Sequence, residues 1–146
     1  MKFYVASSWR NTDYDYVLKC LNGSGHEVWD WRKPPTGGNG FKWQDIDPTY
    51  TDKEMVATYQ LKPMLAHRVA QAAFASDFAG MHWCDVGVLL LPCGRSAHME
   101  AGFIKGIGKP VYVLRENEDE PDLMHLIFDD IVENMVALLN KFERDD

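Results

Sequence analysis

Basic residues are in short supply: 15 Lys and Arg stand against 22 Asp and Glu in 146 residues, a formal charge of −7. Neutralising a nucleic-acid backbone takes clustered Lys and Arg, so polymeric nucleic acid is not an expected partner. Long hydrophobic runs are missing as well. The longest, residues 86–93, falls far short of the roughly 20 residues a spanning helix needs. The opening MKFYVASSWR has no extended apolar segment of the signal-peptide kind. No membrane association and a cytoplasmic location are the expectations. Cys20, Cys84 and Cys93 show no CxxC spacing, and His26, His67, His82, His98 and His125 lie far apart without an HExxH pattern. Neither a disulfide framework nor a metal or other cofactor is expected. GxGxxG and Walker A motifs are also absent, which disfavours dinucleotide and triphosphate folds of those kinds.

What is present is material for a core: 46% of residues are hydrophobic and 12% aromatic. The length suits a single domain over 1–146. Residues 2–6 read as a short buried strand ending in the turn Ser7-Ser8-Trp9-Arg10-Asn11. Thr12 reads as the cap of a helix whose apolar face is Tyr14, Val17, Leu18 and Leu21, stopped by Gly23 and Gly25. A second strand follows at 27–31. Residues 32–59 break regular patterning with Pro34-Pro35, Gly37-Gly38 and Gly40, yet carry Phe41, Trp43, Tyr50 and Tyr59, the composition of a lid or binding loop or of aromatics that pack on the domain or on a second subunit, two readings that are compatible. A helix is expected over 63–80, then a continuous apolar strand at 85–91. The turn Pro92-Cys93-Gly94-Arg95-Ser96 leads into a helix over 97–106. Another strand is expected at 111–114, a short edge strand at 131–132 and a last helix marked by Met135, Leu138, Leu139 and Phe142. This alternation predicts an α/β three-layer sandwich around a mostly parallel five-stranded sheet, flavodoxin-like or Rossmann-like. Ligands of such sheets bind beyond the carboxyl ends of the strands.

On that rim lie two turns rich in Ser and Arg. Ser7, Ser8 and Arg10 follow the first strand, and Gly94, Arg95 and Ser96 follow the third, a plausible cradle for phosphate or sugar hydroxyls. Ser96 as a helix cap would put Glu100 in the first turn. There it either complements the positive helix end or serves as a catalytic carboxylate. Asp77 reads as lying at the end of its helix, against the dipole.

Taken together, the segments FYVASSW, GHEVWDW, ASDFAGMHWCDVGVLLLP and SAHMEAGFIKGIGKPV resemble the nucleoside 2-deoxyribosyltransferase family, including its relatives that hydrolyse nucleoside 5′-monophosphates. The resemblance runs over residues 3–130. It implies that Glu100 is the nucleophile at the anomeric carbon, that Asp77 lies near the nucleoside, that Tyr4 orients the nucleophile and that Trp9 lies near the base. It also implies a homodimer or higher homo-oligomer. The family's transferases carry an Asn from a neighbouring subunit in the C-terminal region, where this chain has Ile131 beside Asp129 and Asp130. N-glycosidic cleavage passes through an oxocarbenium-like state that a carboxylate stabilises and can trap. Water completing the cycle gives hydrolysis, and a second base gives transfer. The substrate is then a small nucleoside or nucleotide. The competing readings are a non-catalytic nucleotide-sensing module and a glycohydrolase of NAD-type substrates.

Overall fold

Phe3, Val5, Val86, Val88, Val111 and Val113 are all fully buried, and every one of them belongs to a short strand. The structure, a computed structural model, describes residues 1–143. Its strands are β1 (Lys2–Ala6), β2 (Glu27–Trp29), β3 (Val86–Leu90), β4 (Val111–Leu114) and β5 (Asp130–Val132). They form one sheet in the order β2-β1-β3-β4-β5, parallel throughout. The expected sheet is thus the observed one, with β2 two residues shorter than the apolar pattern suggests.

The chain divides into two compact units, residues 1–30 with 81–146, and Trp31–Gly80. In the first unit the pleat sorts side chains onto two faces. Tyr4 is in register with Gly87, and Gly87 with Val111, on the face covered by α4 (Arg95–Gly106). Phe3 and Tyr112 point the other way, where both rings meet Phe142 edge-on at 5.1 and 5.4 Å. That side also carries α1 (Tyr14–Gly23) and α5 (Met135–Asn140). Gly87 sets the spacing on the α4 face: a Cβ there would stand 3.0 Å from Val111 Cγ2 and 3.2 Å from Ile104 Cγ2.

The Trp31–Gly80 unit holds a 3₁₀ turn at Trp43–Asp45, α2 (Thr58–Ala66) and most of α3 (Arg68–Trp83). The single helix expected at 63–80 is therefore two helices. His67 separates them in an extended conformation, its Nδ1 accepting the Val69 amide at 3.1 Å. Pro63 lies inside α2, not at a helix start. At α1 the cap position is Asp13, one residue after Thr12. Among the described residues no helix is long and apolar enough to cross a membrane.

Candidate active site

The fully buried Tyr4 side chain reaches from β1 toward α4, where its hydroxyl donates a hydrogen bond to Glu100 Oε2. The strand ladder fixes the tyrosine and the helix fixes the carboxylate, so both partners sit on regular elements. Gly94, not Ser96, occupies the cap position of α4, and it offers no side-chain bond. Ser96 is already helical, and Glu100 falls in the second turn. Its carboxylate therefore does not serve the helix end; it turns inward to the sheet and is only partly exposed.

Two side chains tie the flanking turns together. Ser7 Oγ donates to the Leu90 carbonyl at 3.0 Å, and Asn11 Nδ2 donates to the Pro92 carbonyl at 3.2 Å. Asn11 also accepts the Asp13 amide at 2.8 Å, and it is one of the few buried polar residues. The sequence analysis does not single it out; an Asn two residues before a helix cap, able to bond its own backbone, is the available signal. Ser8 Oγ accepts the Arg10 amide at 3.2 Å. Arg10 and Arg95 are exposed, and among the described residues neither has an ion-pair partner. Trp9 is exposed at 41% on the same turn. Burial first, then the charges of Asp119 and Glu100, push the Cys93 thiol up to about 12, so it stays protonated and is a poor nucleophile.

Asp77, Phe41 and Trp43 belong to the Trp31–Gly80 unit. That unit contains a cavity of about 460 Å³ lined by, among others, Trp31, Gly38, Phe41, Val69, Ala73 and Asp77. Val69, Ala73 and Asp77 recur at helical spacing on α3, and the small residues between keep that wall shallow. Gly37 and Gly38 supply the facing wall with φ of 102° and 85°, a backbone that residues with a Cβ rarely adopt. Phe41 meets Trp43 edge-on at 5.0 Å, so Trp43 backs the aromatic wall. Asp77 is the tenth residue of a sixteen-residue helix. The sequence expectation of a carboxylate opposing a helix end is thus corrected: burial, not the dipole, acts on it and raises its pKa to about 6.

In the C-terminal segment, Lys105 pairs with Asp129 at 3.0 Å and Lys141 with Asp130 at 2.5 Å. Asp129 also accepts the Val111 amide at 2.8 Å. Both acids that precede Ile131 are thereby engaged, while Ile131 itself is half-exposed.

No protein-family profile and no curated protein sequence matches the chain. Solved structures do. A CMP N-glycosidase from Clostridium botulinum superposes with a TM-score of 0.53 at 15% identity, over 97% of this chain and 98% of that one. A 2-deoxyribosyltransferase from Bacillus psychrosaccharolyticus gives 0.57 at 18%, over 100% and 93%. A conserved protein from Enterococcus faecalis gives 0.53 at 15%, over 96% and 95%. Similarity at this level is similarity of fold: the chain has the flavodoxin-like fold of a 2-deoxyribosyltransferase along its whole length.

Proposed function

We propose that the protein cleaves the N-glycosidic bond of a nucleoside or nucleoside 5′-monophosphate, with retention, through a glycosyl ester on Glu100. The observation that carries this reading is the hydrogen bond from the buried Tyr4 hydroxyl to the Glu100 carboxylate. A nucleophilic carboxylate must be held ionised and aimed, and a donor on one oxygen leaves the other for the anomeric carbon. As the base leaves, the oxocarbenium character at that carbon is stabilised by the negative charge and collapses onto it. Water attacking the ester returns the free sugar; a second base returns a new nucleoside. The reading assigns Asp77, with a pKa near neutrality, the delivery of a proton to the departing base. The cavity in its unit has the size and aromatic lining of a small-ligand site. The fold shared with a CMP N-glycosidase and a 2-deoxyribosyltransferase supports the same chemistry.

The reading also assigns the exposed Arg10 and Arg95 to a 5′-phosphate, since a guanidinium pair stands out in a chain of charge −7. The whole chain acts as one catalytic domain, as a homodimer or larger assembly. Exposure of Leu126 at 81%, Val136 at 67% and Ile131 at 48% supports the assembly, and sedimentation at micromolar concentration tests it.

The direct test is chromatography of products from deoxynucleosides and nucleoside monophosphates, with and without a second free base. Glu100→Gln is expected to lower turnover by at least about 10³-fold with an unchanged melting temperature. Wild-type turnover in that variant overturns the reading.

A further inference from the structure

Two histidines that are 27 residues apart in sequence face each other at the edge of the sheet unit: His98 Nε2 lies 3.0 Å from His125 Nε2. Their ring centroids are 5.2 Å apart and their planes differ by only 12°, so the two nitrogens point at one another head-on. Asp122 completes the group, and the three side chains offer ligand atoms all within 4.8 Å of one another. We propose that His98, His125 and Asp122 form a binding site for a zinc-class divalent cation, joining the segment after β4 to the first turns of the helix that carries Glu100.

Three features of the surroundings support a built site. His98 Nδ1 lies 2.8 Å from the Gly94 carbonyl. Donating there commits its proton to Nδ1 and leaves the Nε2 lone pair directed at the partner. A backbone carbonyl on the far nitrogen is the outer-shell arrangement that orients metal-bound histidines. Asp122 Oδ1 is already occupied by the Met124 amide at 2.8 Å, which fixes the carboxylate and leaves Oδ2 to bind. The segment leading to Asp122 carries Glu116, Glu118, Asp119 and Glu120, a local negative field that attracts a cation.

Geometry and proton balance both permit the exchange. Without metal, His125 Nε2–H donates to His98 Nε2. On binding, that proton moves through solvent to His125 Nδ1, so both Nε2 atoms become ligands with no net proton release. Two nitrogens on a tetrahedral zinc at about 2.0–2.1 Å stand about 3.3 Å apart, so the pair has to open by only a few tenths of an ångström and tilt. Two imidazoles and one carboxylate match zinc, cobalt or nickel better than calcium or magnesium. The fourth position is left to water. His98 and Glu100 are two residues apart on α4 and so project in widely different directions. The site therefore lies outside the proposed reaction and stands or falls independently of it.

The test uses the chelator-treated whole protein titrated with Co²⁺ by visible absorption and with Zn²⁺ by calorimetry. One cation per chain is expected, with the d–d intensity of a tetrahedral centre and a zinc-dependent rise in melting temperature. His98→Asn and His125→Asn should each weaken binding by more than about 100-fold, and Asp122→Asn by about 10-fold. Circular dichroism of the metal-free variants checks that they fold. His26→Asn should bind like wild type. The Met1 amine and His26 Nδ1 lie 3.0 Å apart, an amine–imidazole pair that serves as the control for binding elsewhere. Stoichiometric binding that survives His98→Asn and His125→Asn, or no binding by the folded wild type, overturns the proposal.

Discussion

The two units keep their shapes by different means. In the sheet unit, close packing does the work: β3 is buried along its entire length, and side chains alternate onto helical layers on either face. In the Trp31–Gly80 unit, α2 buries no residue, and Met55, Tyr59 and Phe74 are exposed at 94%, 76% and 62%. Polar hydrogen bonds, most of them local, stand in for packing there. Thr49 bonds Asp47 through both amide and hydroxyl, Lys42 N–H bonds Asp45, and Thr36 and Ser76 hydroxyls meet at 2.6 Å. A close-packed frame can hold a reacting carboxylate to a fraction of an ångström, whereas turns and glycines shape a wall that tolerates substitution. Under the proposed reading, the Glu100 carboxylate is held by the close-packed kind of structure and the cavity is shaped by the other, so precision and selectivity rest on different physical means.

The largest expected departure from this contrast is Asp77, a half-buried ionisable group in the unit with the thinner core. Its folded pKa of about 6 lies above the ordinary 3.8, so the folded state holds the proton more tightly than the unfolded state. Stability therefore falls as pH rises from about 4 to 6, and the penalty, about 1–3 kcal/mol once solvent screening of a half-buried group is allowed for, is present above that range. Asp77→Asn should stabilise the protein at pH 7–8 by up to about this amount and flatten the decline, as read by denaturant melts across pH. A pH-independent difference would show that the cavity is wetter than its lining suggests. In the same account, wild-type turnover should decline above pH about 6 as the proton donor ionises.

Tyr4→Phe sharpens the comparison from the other side. It removes one hydroxyl from the packed frame and should lower kcat by about 10²-fold through misplacement of Glu100, with little change in KM. A loss confined to KM would assign Tyr4 to substrate binding. Asn11→Ala should cost about 0.5–1.5 kcal/mol, because it removes the buried side chain that bonds both the Pro92 carbonyl and the Asp13 amide. Thermal melts should show one shifted cooperative transition. The smallest effect expected is for Arg95→Ala: about a tenfold rise in KM for a 5′-monophosphate, with the nucleoside spared. Equal losses on both substrates would mean that Arg95 supports the α4 turn.

Much of the sheet was legible because β1 and β3 are unbroken apolar runs between polar turns, a pattern that only a covered parallel strand requires. The break at His67 was not. Proline favours the first turn of a helix, so Pro63 read as a start, while no glycine or proline marks the residue where the chain actually departs from helix. For the site, spacing alone put Glu100 one turn too early by crediting Ser96 with the cap that falls to Gly94. The family resemblance singled out Tyr4 and Glu100 where spacing could not, since 96 residues separate them. The meeting of His98 with His125 had no local signature at all, because it joins the first turn of α4 to the 3₁₀ helix Leu123–Ile127, which follow the neighbouring strands β3 and β4.

Gly87 has a consequence of a different order. Its missing methyl is what allows Ile104, one helical turn beyond Glu100, to settle against β3 beside Val111. A side chain at position 87 would press on Val111 and Ile104, which would have to give by a few tenths of an ångström, and a bulky one would act as a shim between α4 and the sheet, working against the bond between the carboxylate and the tyrosine hydroxyl. The alignment of the acid is thus set in part by an absent atom on the strand beside Tyr4, a tolerance written in steric terms.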